Sequence, residues 1–211
     1  MSHKKITSLF LILILTTFLF IKHESWGSER NYFTYNLDST KDSDSTDELL
    51  LLKKELEQLL QMENYSEAID ICLKVLEVET KLLGPDHPET LASIESLGHL
   101  YKTIGDYDRA ELWYQRSLKR SEKVLGPEHP ESILRLILLA YLYQDMFDYA
   151  RAEPLYQRAI KIREKVLGPD HRDTAQSLIY LANLYQEMAD YARAEPLYQR
   201  SLKINEKVLG P

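Results

Sequence analysis

The stretch Leu83-Gly-Pro-Asp-His-Pro88 decides the fold of this chain, because it returns at a fixed interval. Leu125-Gly-Pro-Glu-His-Pro130 and Leu167-Gly-Pro-Asp-His-Arg172 repeat it, and Leu209-Gly-Pro211 begins it once more. Its glycines stand at 84, 126, 168 and 210, so the period is 42 residues (126 − 84 = 42). Self-similarity at a period of a few tens of residues is typical of solenoids, in which one structural unit stacks on the next.

The repeated stretch has the residues expected at a corner between two helices. A Gly just past a helix can adopt positive φ, and the Pro after it prevents the helix from continuing. Pro88 and Pro130 suit the first position of the next helix. We interpret His87, His129 and His171 as capping residues, because stacking places them about 20 Å apart if each helix adds about 10 Å. Ligands of one metal lie about 2 Å from it, so these histidines do not form a metal site.

Between two corners, each unit contains two apolar patterns with the period of a helix. In the third unit Leu136, Leu139 and Tyr143 recur at three- and four-residue steps, which is the spacing of one helical face. Ala152 and Tyr156 belong to the second pattern of that unit. The sequence therefore predicts an all-α fold, with about four helix-turn-helix units over residues 48–211 and the last unit reaching the final residue.

Two short motifs make this pattern specific. Leu-Ala-x-x-Tyr (139–143) and Ala-x-x-x-Tyr (152–156) resemble the tetratricopeptide repeat, and the tracts 152–158 and 164–171 resemble the 42-residue subtype of kinesin light chains. The resemblance implies a right-handed α-solenoid in which the first helix of each unit lines a concave groove that receives peptides or partner helices. The first unit keeps Leu52, Leu56 and Leu59 without the full motif, as a capping repeat would.

Comparison of the units separates a nearly constant scaffold from a variable stripe on the first helices. Across the last three units, the residues at i, i+4 and i+7 of the first helices vary as a set and share one helix face. We predict that this groove stripe binds the partner. Its residues are Glu95, His99, Lys102, Ile137, Tyr141, Gln144, Ile179, Asn183 and Gln186.

Ile137 and Tyr141 are the predicted apolar anchors of the groove stripe, because the scaffold pattern does not require them. Two other interpretations stay open: both residues pack against a neighbouring helix, or the stripe is unconstrained solvent surface. Kinesin light chains hold acidic peptides with basic groove residues, but Lys102 and Arg135 are the only bases near this stripe. We therefore expect a partner helix or extended segment with one large apolar anchor.

The N-terminal residues differ from the repeats in composition. Lys4 and Lys5 precede an apolar run over residues 6–21, and small residues surround Gly27. This pattern is typical of a secretory signal peptide, so we expect cleavage after residues 1–27 and a secreted or periplasmic protein. An uncleaved membrane anchor, with the repeats outside the cytoplasm, is the alternative. Residues 28–47 are rich in Ser, Asp and Thr and predict a disordered linker.

Charge and motif content exclude several classes of function. The chain has 211 residues and a net charge of −7, which disfavours nucleic acid as a partner. It has no Gly-rich phosphate loop, nucleophile elbow or catalytic Cys/His pair, so we predict no enzymatic activity, catalytic residues, cofactor or metal. A single Cys, Cys72, leaves no intramolecular disulfide, and its place in a helical pattern predicts core packing.

These observations favour a protein-interaction scaffold whose partner is a protein or peptide. The alternatives are an accessory region of a larger enzyme and a purely structural spacer. Membrane association is expected only if the N-terminal segment is not cleaved. The last helix keeps Leu197, Ile204 and Val208 although no further unit follows them in the sequence. Exposed apolar surface promotes association, so we also expect self-association through this helix.

Overall fold

The computed structural model describes residues 43–209, and in this part of the chain it contains eight α-helices and no strand. Each helix packs chiefly on its neighbours in chain order. A single apolar core extends from Leu60 to Ile204. The all-α solenoid is therefore confirmed. Its units are formed by α1 (Ser43–Gln61) with α2 (Tyr65–Leu82), α3 (Pro88–Thr103) with α4 (Tyr107–Leu125), α5 (Pro130–Asp145) with α6 (Tyr149–Val166), and α7 (Arg172–Glu187) with α8 (Tyr191–Leu209).

The three corners between units have the same geometry. The histidine before each first helix accepts a hydrogen bond at Nδ1 from the backbone N–H two residues later. The distances are 3.2 Å for Glu89 to His87, 3.2 Å for Glu131 to His129 and 3.1 Å for Asp173 to His171. The preceding glycines have φ between 89° at Gly84 and 101° at Gly168, a region that favours glycine. The capping role predicted for the histidines is confirmed.

The turns inside the second, third and fourth units depend on a capping aspartate and on the residue that precedes it. Asp106, Asp148 and Asp190 each accept a backbone hydrogen bond at 3.1 Å from the residue three positions later. The residue before each Asp has positive φ, but only the second unit has a glycine there. Phe147 and Ala189 take the same conformation with φ of 59° and 57°. A side chain at such a φ is strained, because Cβ approaches the backbone.

The first helix begins earlier than composition predicted. We expected a disordered linker to residue 47, whereas α1 begins at Ser43, so the predicted boundary lies too late. Asp44 is in the first turn of α1, where a carboxylate interacts favourably with the positive end of the helix dipole. The predicted signal segment 1–27 and the linker residues 28–42 lie outside the described residues. None of the helices between residues 43 and 209 is long and apolar enough to cross a membrane.

Cys72 lies in the core of the first unit. Its side chain has no exposed surface, and its thiol is 3.7 Å from the carbonyl oxygen of Ser93. Burial raises the pKa of the Cys72 thiol to about 12. The predicted packing role is confirmed, and the thiol is poorly suited to act as a nucleophile because its thiolate form is disfavoured.

Candidate binding surface

The groove stripe lies on α3, α5 and α7, but its members differ widely in exposure. Gln186 is exposed, Gln144 is buried, and most of the remaining members are partly buried. Ile137 is only 2% exposed and belongs to the apolar core. It therefore offers no surface to a partner, and the expectation that it is an accessible anchor is wrong. The alternative, that this residue packs within the solenoid, describes it correctly.

Several stripe residues are held by tyrosines of the second helices. These tyrosines occupy equivalent positions in three successive units, and each hydroxyl hydrogen bonds to a stripe side chain of its own unit. The pairs are Tyr114 with His99 Nδ1 (2.8 Å), Tyr156 with Gln144 Oε1 (2.9 Å) and Tyr198 with Asn183 Oδ1 (2.6 Å). The variable stripe and the constant scaffold are therefore bonded to each other, which sequence comparison alone did not reveal.

The α3 part of the stripe contains two titratable groups with shifted pKa values. Burial raises the pKa of the Glu95 carboxyl to about 7, although the Arg135 guanidinium acts in the opposite direction. Burial, and Lys102 in addition, lower the pKa of the His99 imidazole to about 4. Between these values both groups are neutral. His99 Nε2 is buried without a hydrogen-bond partner among the described residues and lies 3.9 Å from Glu95 Oε1.

Arg135 holds this part of the stripe to the next unit. It is 3% exposed, and its guanidinium donates to Ser117 Oγ at 3.0 Å and to Glu131 at 2.8 Å. Its Nε lies 3.4 Å from Glu95 Oε2. A buried guanidinium needs such partners because an unpaired charge in the interior is costly. Arg135 is therefore part of the structure rather than a free base in a groove.

Polar contacts also join the stripe across neighbouring first helices. Lys102 on α3 forms an ion pair with Asp145 on α5 at 2.6 Å. Gln144 on α5 donates to Glu187 on α7 at 2.7 Å. The partner of Asp145 is therefore a cation, and the partner of Glu187 is not. Asp145 forms an ion pair with a lysine, whereas Glu187 accepts a hydrogen bond from an uncharged amide.

Three tyrosines converge at the centre of the stripe. The ring centroid of Tyr141 lies 5.9 Å from that of Tyr156 and 5.2 Å from that of Tyr180, both in edge-to-face geometry. Tyr156 is fully buried, whereas Tyr141 and Tyr180 are partly exposed. Burial raises the pKa of Tyr141, with Tyr180 contributing, so the Tyr141 hydroxyl is a donor at neutral pH. Sequence reasoning missed Tyr180, which stands one position beyond the stripe residue Ile179.

A site for a metal is not formed by the described residues, which contain no group of three or more His, Cys, Asp or Glu side chains able to hold one.

Neither tyrosine hydroxyl of the Tyr141–Tyr180 pair has a hydrogen-bond partner among residues 43–209. The Tyr141 and Tyr180 rings pack on the buried Tyr156 ring. Their hydroxyls are therefore available to hydrogen bond with a molecule that covers the pair.

Comparison with known proteins gives one family and several solved structures that share its fold. A family model described as tetratricopeptide repeat matches residues 57–123, 113–165 and 132–207. The crystal structure of BtubC (BKLC) from P. vanneervenii is 18% identical with a TM-score of 0.69, over 82% of this chain and 69% of that chain.

A putative kinesin light chain from Podosopora anserina, with nearly identical TPR-like repeats, is 24% identical with a TM-score of 0.67. The match covers 76% of each chain. A single-residue variant of that protein is 23% identical with a TM-score of 0.69, over 82% of this chain and 81% of that one. At these identities the structures establish the fold alone. A comparison with curated proteins gave no match.

Proposed function

Because the chain belongs to the tetratricopeptide repeat family, whose repeats generally mediate protein–protein interaction, we propose that it is a scaffold that binds one partner segment along the groove stripe. Repeats of this family are typically non-enzymatic. The proposed partner is a protein segment, helical or extended, and no chemistry on that segment is required of this chain. We also propose that the protein acts outside the cytoplasm.

The observation that carries this proposal is the Tyr141–Tyr180 pair. The two rings lie 5.2 Å apart on neighbouring first helices, partly exposed, with hydroxyls that have no partner among residues 43–209. Aromatic residues that combine a large apolar ring with a polar tip are enriched at interaction hot spots. A large apolar side chain of the partner would cover the rings, and its backbone carbonyls would accept from the hydroxyls.

The charged residues next to the tyrosine pair indicate which charge the partner segment carries. Asp145 is already neutralised by Lys102 at 2.6 Å, Arg135 is buried among its own partners, and Arg163 donates to two groups of α7. No unengaged base therefore lies beside the pair within residues 43–209, so an acidic peptide gains little. Glu187 accepts a hydrogen bond from the uncharged Gln144 amide and forms no ion pair within residues 43–209. A segment with a large apolar residue and a Lys or Arg nearby is complementary to this surface, because opposite charges fix its register.

The test begins with a partner found by affinity purification on residues 28–211 and then purified. Tyr141→Ala and Tyr180→Ala should each weaken its binding by at least about tenfold, the loss expected of a hot-spot residue. Tyr107→Ala is the matched control, because Tyr107 is an exposed tyrosine, 37% accessible, at the start of α4 and outside the stripe. Equal affinities for all three variants would reject the groove stripe as the binding surface.

Export is supported by the basic residues, the apolar run and the small residues within 1–27. In its host the protein should lose about 27 residues and be recovered outside the cytoplasm. N-terminal sequencing of the recovered protein checks this. An intact N-terminus on a membrane-bound protein would support the anchor instead.

A further inference from the structure

Each of the last two junctions between units is formed by the same three side chains, which we call the Glu–Tyr–Arg joint. Between the second and third units, Glu111 on α4 accepts hydrogen bonds from the Tyr143 hydroxyl at 2.9 Å and from the Arg151 guanidinium at 2.8 Å. The guanidinium also stacks over the Tyr143 ring at 4.1 Å. Gln115, one turn along α4, donates to the same carboxylate oxygen at 2.8 Å and helps to orient it.

The joint recurs one repeat later. Glu153 on α6 accepts from Tyr185 at 2.8 Å and from Arg193 at 3.2 Å, and Gln157 donates to it at 2.9 Å. Arg193 again stacks over its tyrosine, Tyr185, at 4.1 Å. The contacts repeat with the 42-residue period at the last two junctions, whereas the first junction lacks the joint because Ile69 stands at the position of Glu111.

Helix α8 carries the first half of a third joint. Glu195 receives the same hydrogen bond from Gln199, at 2.9 Å, but no tyrosine or arginine from another unit reaches it among the described residues. The apolar part of this face is uncovered as well. Leu202 is 58% exposed, whereas its equivalents Leu76, Leu118 and Ile160 are each 8% exposed.

Two further polar groups on α8 lack the partners that their equivalents have. Ser201 Oγ is buried without a hydrogen bond, whereas the equivalent Ser117 Oγ accepts from Arg135 at 3.0 Å. Glu206 has no ion-pair partner among the described residues, whereas its equivalents are both paired. Glu122 accepts from Arg158 at 2.6 Å, and Glu164 pairs with Arg200 at 2.7 Å. Each missing partner is an arginine of a following unit.

We propose that the outer face of α8 docks a further helix pair of this repeat type. Its first helix carries an Arg and, eight residues later, a Tyr, the spacing of Arg135 and Tyr143. A second Arg, at the place of Arg151, begins its second helix. The tyrosine and this arginine complete the joint at Glu195, and the first arginine supplies the donor that Ser201 lacks. This surface is separate from the groove stripe, so the inference does not depend on the proposed function.

A second copy of this chain is a poor occupant. Its α1 and α2 would place Leu51, Leu59 and Glu67 at the positions of the first arginine, the tyrosine and the second arginine. Glu67 would then face Glu195, and two carboxylates in contact repel each other. Head-to-tail self-association through α8 therefore needs a different geometry from the joints seen inside the chain.

The third unit of the chain is the natural probe, because it carries both halves of the joint. A synthetic peptide of residues 128–166 should bind the full chain, and Glu195→Gln should weaken binding by at least about tenfold, the loss expected for hydrogen bonds to a charged acceptor. In the peptide, Tyr143→Phe should weaken binding in the same way. The control is Asp70→Asn, which removes an exposed carboxylate on α2 and should leave binding unchanged.

Because a free helix pair of this size is marginal in water, the same residues are also joined after Pro211, in register with the repeat. The added unit should raise the urea midpoint, and Glu195→Gln should remove part of the gain. The proposal is wrong if neither arrangement responds to Glu195→Gln or Leu202→Asp. It is also wrong if the unextended chain self-associates in sedimentation and Leu202→Asp abolishes that association, because the occupant is then a second copy.

Discussion

At the corners between units, one histidine makes one bond in every repeat, with distances of 3.1–3.2 Å at His87, His129 and His171. Along the groove stripe, the tyrosine of the second helix is equally constant, but its hydroxyl meets His99, Gln144 or Asn183 depending on the unit. Because each corner histidine makes the same capping bond, the corner of one unit could replace that of another. Along the stripe the constant tyrosine has a different partner in each unit, so the stripe presents different polar groups from unit to unit.

Removal of a stripe-supporting tyrosine should have the largest effect on stability. Tyr156→Ala empties a fully buried site beside Tyr141 and Tyr180 and should lower the free energy of unfolding by about 3–5 kcal/mol. Urea unfolding followed by circular dichroism measures this change. Tyr156→Phe keeps the ring, loses only the bond to Gln144, and should cost about 1 kcal/mol. Equal losses for the two variants would show that the hydroxyl, and not the packed ring, supports the stripe.

The α3 part of the stripe predicts two opposing pH dependences. The pKa of Glu95 is raised to about 7, so its contribution to stability is present at low pH and is lost as pH rises from about 4.5 to 7. The pKa of His99 is lowered to about 4, so its contribution is present above about 6.5 and is lost as pH falls towards 4. In the wild type the two effects partly cancel.

Single variants should separate these effects. Relative to the wild type, His99→Gln should make stability fall more steeply with rising pH between 4.5 and 7, and Glu95→Gln should make it rise more steeply between 4 and 6.5. Each slope is at most about 1.4 kcal/mol per pH unit. Thermal melts across this pH range provide the measurement. Parallel curves for the wild type and both variants would contradict the pKa shifts.

Loss of a corner cap should cost less than loss of a stripe tyrosine. His129→Ala removes the Nδ1 acceptor of the Glu131 N–H and should lower the free energy of unfolding by about 0.5–2 kcal/mol. His129→Asn should retain most of the stability, since Asn is a favoured capping residue. Urea unfolding compares both with Tyr156→Ala. If His129→Ala proved the more damaging, the histidine would have a role beyond capping.

The smallest effect is expected at the turns inside the units. Ala189 has φ of 57°, so Ala189→Gly should relieve strain and stabilise the chain by about 0.5–1 kcal/mol. The matched reverse change is Gly105→Ala at φ of 82°, which should destabilise by a similar amount. Differential scanning calorimetry of both variants checks the pair. A change of the same sign in both would mean that φ does not control stability at this position.

The sequence predicted the features that depend on neighbouring residues. The glycines, Pro88, Pro130 and the three histidines define corners through local backbone chemistry, so their roles could be assigned before the fold was known. The helical periodicity placed the scaffold tyrosines correctly for the same reason. Turns at Phe147 and Ala189 gave no such signal, because neither residue prefers positive φ.

Features that depend on how units wind around each other were less predictable. A single-helix pattern left Ile137 outside the core, but the solenoid buries it. Tyr180 lies beside the stripe residue Tyr141 only because α5, α6 and α7 bring three rings together, and a single-helix pattern does not show this. Arg135 and Glu79 are charged residues that a sequence places at the surface. The structure buries both, and Glu79 is paired with Lys53 at 2.8 Å.

The Glu–Tyr–Arg joint also has a direction, which bears on how genes for such arrays change length. The second, third and fourth units each carry a Glu on their second helix together with a Tyr and an Arg, so in-phase recombination among them would leave every new junction chemically complete. The first unit has Leu59, Glu67 and Ile69 at these positions, so it packs on the second unit without this joint. We therefore expect duplication or loss of a whole unit to disturb the stacking less among the last three units than at the first.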